Sequence, residues 1–412
     1  MILTAADRRL PQKGELLVVI NYDIVHKLRP LLDSLAWDLV VLDESHHLKN
    51  GKAQRTKSLF GGPTGRSSHS VEPLGARFWI FLSGTPLLNR PRELWTTFKK
   101  LDPFGLGRDW IYYHRRYCAG KLGRYGWEID GASNLEELES ELRSSIMIRR
   151  CKEDVLAELP GKRRRIIPME AQSTGARKLL QSQKTLQEKA DRLRAQISAM
   201  CRKLKVEKDD DADEEKAVIA ALCEEASAAF GQLSRLRAQL GETKAVECLP
   251  LLADAARQQP VLIFCHHHGA IDQVAEGLAK EEDLRVAKID GRDDLGKRQA
   301  TVDAFQAGKI DALVLQIQSC GLGHTLTRAC HVIFLEQDWT PGRMAQAEDR
   351  VHRIGQILPV LIDVLVYDGT LDARMAKTLA EKQTVITRTL DGSLAKTCLP
   401  KKCSSEPTED GK

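Results

Sequence analysis

The stretch LVVLDESHHLKN, residues 39–50, decides how the chain is read. Its apolar run Leu39–Leu42 leads straight into Asp43 and Glu44. An unbroken apolar run is what a strand buried on both faces of a parallel sheet requires. A carboxylate pair at its end suits a hard cation such as Mg²⁺ together with a general base. Two runs of the same kind flank it, ELLVVINYD upstream and ARFWIFLSGTP downstream, with helix-favouring segments between, which predicts an α/β fold. Ligands of open α/β sheets bind at the carboxyl edge of the strands, so Asp43, Glu44 and the turn Ser83-Gly84-Thr85-Pro86 are expected on one edge. The plain alternatives are a solvated acidic pair and an ordinary strand-to-helix turn; Pro91 and Glu93 mark the helix start that follows.

At 412 residues the chain is long enough for two or three domains, and its 42% apolar and 29% charged residues are those of a globular protein. A net charge of +5, spread along the chain, is only a weak pointer to a polyanionic partner. Ten cysteines without a C-x-x-C pair argue against a disulfide framework or a zinc site. No run approaches the roughly 18 apolar residues needed to span a bilayer, and no signal peptide is visible. The expectation is an intracellular protein without membrane contact, in cytoplasm or nucleoid, or in the nucleus of a eukaryote.

Residues 172–245 change character to a Gln-, Lys-, Ala-, Glu- and Leu-rich helical stretch, interrupted by KVEKDDDADEEK, which reads as a solvated loop or frayed helix. Beyond about 248 the α/β pattern returns with five strand candidates: QQPVLIFCHHH, LRVAKIDG, IDALVLQIQ, CHVIFLEQ and LIDVLVYDG. The expected division is a first lobe over 1–168, a helical insertion over 169–246, a second lobe over 247–390 and a disordered tail over 391–412. In QAEDRVHRIGQ, residues 346–356, Gln346, Arg350 and Arg353 fall at i, i+4 and i+7, so one helix face would carry an amide and two guanidinium groups suited to phosphate.

In this order, DESHHLKN, SGTPLLNRPRELW, IDG with its Arg-rich helix, SCGLGHTLTRACHVIFLEQDWTP and QAEDRVHRIGQ resemble the SWI/SNF-type DNA translocases of helicase superfamily 2. The segment YYHRRYCAGKLGRYGWEIDGASNLEELESELRSSIMIRRCKEDVLAELPGK is similar to the HepA-related annealing-helicase branch. The resemblance covers roughly residues 15–168 and 245–390. It implies two RecA-like lobes with parallel sheets, with ATP and Mg²⁺ as cofactors and double-stranded or branched DNA as partner. Asp43 would hold the Mg²⁺ of Mg·ATP and Glu44 would orient the attacking water. Gly321 and Gly323 would read nucleotide and DNA backbone. Gln346, Arg350 and Arg353 would meet the phosphates, with Arg353 the finger. Lys49, Ser83, Thr85, His266, Arg149 and Arg150 would face DNA, and Lys152 and Lys162–Arg165 could add to them; a plain solvated basic face is the alternative. RNA helicases carry DEAD and HRxGR forms that DESHH and VHRIGQ do not match.

Two motifs invite other readings. GRDDLGKR, residues 291–298, fits the spacing of a phosphate loop, but Asp293 and Asp294 would repel phosphate and Arg298 replaces the Mg²⁺-ligating hydroxyl. His266-His267-His268 could suggest a metal, yet adjacent residues of an extended chain point in alternating directions. The family's glycine-rich phosphate loop is not among the 412 residues. The expectation is therefore an incomplete first lobe with exposed apolar surface. A missing N-terminal half or a partner chain would then supply the loop; failing that, the chain is an ATPase-dead DNA-binding scaffold.

Overall fold

The computed structural model describes residues 2–3, 17–63, 70–123, 126–156, 158–203, 212–322, 324–368 and 370–391. It divides into one compact unit of residues 1–122, 127–149 and 382–412 and another of 123–126 and 150–381. Most of the tail expected from 391 onward, and residues 205–211 of the acidic interruption, lie outside the described residues. Among the described residues no helix is long and apolar enough to cross a membrane.

The first unit begins with strands β1 (Ile2–Leu3) and β2 (Val19–Ile20), paired in parallel. The apolar run ELLVVINYD thus yields only a two-residue strand, joined to β1 and not to the strand that carries DESHH. Helix α1 (Val25–Asp33) leads to β3 (Trp37–Leu42), and α2 (Gln54–Phe60) precedes the short antiparallel pair β4 (Gly62–Pro63) and β5 (Ser70–Val71). Strand β6 (Ala76–Phe81) then lies parallel to β3. One face of this two-stranded sheet, with Val40, Leu42, Trp79 and Phe81, packs on Val25, Leu32, Leu59 and Phe60. The opposite face shows Leu39 across from Phe78 and Val41 across from Ile80, each 45–56% exposed.

Helices α3 (Trp95–Leu101), α4 (Trp110–Tyr117) and α5 (Leu135–Ser145), with the short strands β7 (Lys121–Gly123) and β8 (Gly126–Glu128), follow. The segment shared with the annealing branch acts here as packing hardware. Ser133 Oγ and Asn134 Nδ2 both donate to the Arg116 carbonyl, at 2.6 and 2.7 Å, and Tyr117 Oη donates to Glu137 at 2.8 Å. Tyr113, Tyr117, Phe98, Leu138 and Leu142 form a core that takes in Ile386 and Leu390.

The second unit is a six-stranded sheet, parallel throughout, in the order β11-β12-β10-β13-β14-β9. After the short helix α6 (Lys152–Val155) comes β9 (Lys162–Met169). The helices α7 (Thr174–Lys203) and α8 (Ala212–Gln258) follow, then β10 (Val261–Cys265). Next are α9 (His268–Leu278), β11 (Val286–Ile289), α10 (Leu295–Gln306), β12 (Ala312–Gln316), β13 (His331–Phe334), α11 (Pro341–Glu348), β14 (Val360–Tyr367) and α12 (Leu371–Leu390). All five strand candidates beyond 248 form. The central ones, VLIFC and ALVLQ, are buried at every position, as a sheet covered on both faces demands.

Two boundaries differ from the sequence division. Strand β9, assigned above to the first lobe, pairs along its whole length with β14, so the units divide near residue 150 and not after 168. Its sequence KRRRIIPM is basic and contains Pro168, features that fit a sheet edge. Buried carboxylates hold it there: Arg165 makes a two-pronged contact with Asp363 at 2.7 Å per bond, and Lys162 and Arg164 both engage Glu348, which is fully buried. The insertion does not stop at 246 either. Helix α8 runs on to Gln258, and Ala245, Cys248, Leu252 and Ala256 pack against the sheet.

Replacing Phe78 and Ile80 with threonine, itself a good strand former, removes apolar surface. The expected result is weaker self-association in light scattering with little change in melting temperature.

Candidate nucleotide and nucleic-acid site

In the first unit the chemistry sits where β3 and β6 end side by side. Leu82 N–H donates to the Leu42 carbonyl and Ser45 N–H to the Leu82 carbonyl, both at 2.9 Å, so the two strand ends are tied. Glu44 is left-handed, with φ 46° and ψ 49°. This conformation costs a non-glycine residue about 1–3 kcal/mol and tends to persist where surrounding contacts hold it. Those contacts are visible: His46 Nδ1 lies 3.1 Å from Glu44 Oε2 and 3.2 Å from Ser83 Oγ, and Ser83 Oγ lies 3.4 Å from the same carboxylate oxygen. Ser83 Oγ also accepts the Thr85 N–H at 3.2 Å. DESHH and SGTP are therefore one hydrogen-bonded constellation.

Asp43 is exposed, and its Oδ1 accepts the Glu44 N–H at 3.0 Å. Tyr22 Oη donates to the Asp43 carbonyl at 2.6 Å; burial, and then the charges of Asp43 and Glu44, push this phenol far above its ordinary pKa. An exposed hard-oxygen carboxylate on a fixed strand end fits a hydrated Mg²⁺. Lys49 is engaged within the unit: its ammonium lies 2.8 Å from Glu93, which also accepts the Asn89 N–H at 3.1 Å. Arg149 grips Asp391 with both prongs of its guanidinium. Both cations expected on DNA thus serve as internal ties. Arg150 lies in the second unit, just before α6. The further basic residues behave like Lys49: Lys152 donates to the His352 carbonyl at 2.8 Å and pairs with Asp349, and Lys162, Arg164 and Arg165 are held as described.

In the second unit the carboxyl ends of β10, β11, β12 and β13 converge. Gln316 ties three of them: its Oε1 accepts from Gly291 N–H at 3.0 Å and Ser319 Oγ at 3.2 Å, and its Nε2 donates to the His266 carbonyl at 3.5 Å. Glu336, 5% exposed, accepts the N–H groups of His266 and His267 at 2.8 and 2.9 Å, and its other oxygen lies 2.6 Å from His267 Nδ1. Burial would raise its pKa, but these bonds outweigh it and hold the carboxyl below its usual range. His266 lies 3.5 Å from Asp338; burial first, then Arg237 and His267, push it toward neutrality, so a DNA contact there would be a hydrogen bond and not a charge pair. Among the described residues no group of three or more histidines, cysteines and carboxylates could hold a metal ion. GRDDLGKR is also excluded as a cradle, because its amides are used: Lys297 N–H is taken by Asp294, Arg292 N–H by Asp290, and the Lys297 ammonium by Asp293.

The helix face expected from Gln346, Arg350 and Arg353 does not form. Helix α11 ends at Glu348, and Arg350 and Arg353 lie in the turns that follow. Three anchors shape those turns. Glu348 is held by β9, His352 Nε2 lies 2.8 Å from the Pro160 carbonyl, and Gln356 Nε2 reaches the carbonyls of Thr327, Ala329 and Val351 at 3.1, 2.7 and 3.4 Å. Gly355, at φ 98°, allows the reversal. Gln346 stays on α11, and the Arg350 carbonyl accepts the Leu326 N–H at 2.9 Å, which joins this turn to the loop of Gly321. Gly321 lies on the 3₁₀ turn Ile317–Leu322; Gly323 is outside the described residues. Burial, then Arg350 and Arg298, lower the pKa of His324, and the buried Arg298 Nε and His324 Nε2 have no hydrogen-bond partner. The orphaned Arg298 Nε–H donor fits a phosphate oxygen.

Sequence reading missed Tyr22, His46, Gln316 and Glu336. The last two could have been found, because each is a polar residue at the end of an apolar strand run; Tyr22 carries no such signal.

Residues 6–210 match the SNF2-related domain and residues 243–355 the helicase conserved C-terminal domain. The SWI/SNF-related matrix-associated actin-dependent regulator of chromatin subfamily A-like protein 1 of Xenopus tropicalis is 31% identical over 94% of this chain and 36% of its own length. The DNA annealing helicase and endonuclease ZRANB3 of Homo sapiens is 34% identical over 88% of this chain and 31% of its own. The chain thus spans about a third of these relatives.

Glu336→Gln keeps the shape of the side chain and removes its charge, at an expected cost of about 1.5–3 kcal/mol in unfolding free energy at neutral pH. Because the folded pKa of Glu336 is depressed, its contribution is present above the unfolded value near 4.3 and is lost as pH falls through the folded one. Denaturant melts of both proteins should therefore draw together as pH falls below the ordinary glutamate range.

Proposed function

The chain belongs to the SNF2-related family of helicase superfamily 2, in its HepA-like branch, and from that premise we propose that it forms the motor region of an ATP-dependent translocase that remodels double-stranded or branched DNA. The observation that carries this reading is the Glu44–His46–Ser83 constellation. It joins the residue that would address the attacking water to the SGTP turn that would address the DNA track, so a change at one carboxylate is felt at the other motif without an intervening element.

Roles follow from chemistry. Asp43 would hold Mg²⁺, which neutralises charge on the phosphates of bound ATP. Glu44, fixed by His46 and Ser83, would orient the attacking water. Arg353 would supply a permanent planar charge to the phosphoryl group, a contribution on the order of 10³–10⁵ in rate for such arginines. Arg350 and Gln346 would line the same phosphates, next to the orphaned donor of Arg298. Gly321 and Gly323 would let backbone approach nucleotide and DNA. Ser83, Thr85 and His266 would meet the DNA through neutral hydrogen bonds, which suits a motor that must accept every base sequence. Lys49, Arg149 and Arg150 are weaker candidates for DNA, since the first two are committed to Glu93 and Asp391. The fork-remodelling or annealing substrate, the nuclear or other intracellular location and any partner bringing the phosphate loop are part of this proposal.

The test is ATP hydrolysis by the protein expressed from its complete native gene, with and without duplex DNA. Duplex should stimulate turnover, and Glu44→Gln and Arg353→Ala should each abolish it while leaving duplex affinity within a few-fold. Near-full turnover in either variant would sink the role assignment. Tight duplex binding without stimulated hydrolysis would leave a DNA-binding scaffold.

A further inference from the structure

The motor reading leaves the helical hairpin α7–α8 unexplained. Helix α7 carries eight lysines and arginines against two acids. Between the two helices runs an open groove of about 680 Å³. Lys189, Arg192 and Arg235 line it from both sides, beside the hydroxyls of Ser182 and Thr185 and the amide of Gln232, and no acidic residue is among its lining. All six side chains are exposed. The two acids of α7 turn elsewhere or stand off: Asp191 is engaged by Arg374 at 3.0 Å, and Glu188 is outside the lining. Lys189 pairs with Glu225 at 2.7 Å, but both side chains are about half exposed, so the pair is worth little and exchanges readily.

We infer that this groove is a second DNA-backbone site that takes the sugar–phosphate chain of the nucleic acid on which the motor acts. This rests on the DNA reading above. Three cations with hydroxyl and amide donors are the groups that contact phosphate and sugar without reading sequence. From Ser182 to Arg192 the groove follows about 15 Å of helix, the rise of four to five nucleotides of one strand. The alternative occupant, an acidic amphipathic helix, needs an apolar stripe to lie on, and the groove offers only the partly buried Leu186 and Leu236.

The experiment is duplex binding by the intact chain, measured by fluorescence anisotropy between about 50 and 200 mM salt, where each neutralised phosphate adds about 0.9 to the slope of log K against log salt. The triple variant Lys189→Gln, Arg192→Gln, Arg235→Gln should flatten that slope by about 2 to 3. The charge-keeping variant Lys189→Arg, Arg192→Lys, Arg235→Lys should retain it, and both should melt like the parent because the three side chains are on the surface. An unchanged slope in the triple variant overturns the groove and leaves the DNA reading standing. Absence of duplex binding by the intact chain overturns both. Polyglutamate that binds the parent but not the triple variant, with duplex binding indifferent to the substitutions, would make the groove a peptide site and overturn the proposal.

Discussion

The second unit depends on one buried charge. Glu336 sits at the end of β13 with its carboxylate turned inward, and what it accepts decides what lies around it. Two backbone N–H groups and an imidazole from the β10 end satisfy it on one side. On the other, α8 passes so close that a Cβ at Gly241 would stand 2.4 Å from its oxygen. A side chain at 241 would push helix and carboxylate apart, so glycine there sets the distance between the inserted hairpin and the sheet. Lys244, one turn on, is buried with its ammonium 2.7 Å from the Leu365 carbonyl and 3.0 Å from Asp372, which fixes the same helix to β14 and α12. Desolvation of a buried cation and a buried anion is offset by these partners, and loss of a partner would leave an uncompensated charge in the core.

The same logic explains what could be read from the sequence. The strands β10 to β14 were legible because a parallel sheet covered on both faces needs continuous apolar runs, and VLIFC or ALVLQ admits no other reading at that length. β3 and β6 carry apolar runs of the same kind, although only one face of their sheet is covered among the described residues. β9 was not legible, because its residues KRRRI look like a solvated face until Glu348 and Asp363, nearly 200 residues away, are known to be buried beneath them. The internal partners of Arg149 and Lys49 were hidden in the same manner, since Asp391 and Glu93 are invisible as partners at a distance along the chain.

The residues after α11 show a different limit. A spacing of four and then three is helical by geometry, yet the amide nitrogen of Gln356 donates to three backbone carbonyls, and Gly355 permits the turn. Tertiary hydrogen bonds override local periodicity there. The turn that carries Arg350 is joined to the loop of Gly321 by a backbone bond between Leu326 and Arg350, which no spacing in the sequence signals.

Helix α8 adds a mechanical consequence. It is rooted at Arg237, Gly241 and Lys244, and its other end, Ala212, lies some 25 residues away, about 38 Å at 1.5 Å per residue. A rod anchored at one end converts angle into distance: a tilt of about 5° at Glu336 sweeps the tip through about 3 Å, close to the rise of one nucleotide. The sheet edge is thereby the fulcrum of a lever whose stroke is set by helix length, and lengthening or shortening the hairpin by whole turns would change its reach without touching a single residue at the pivot.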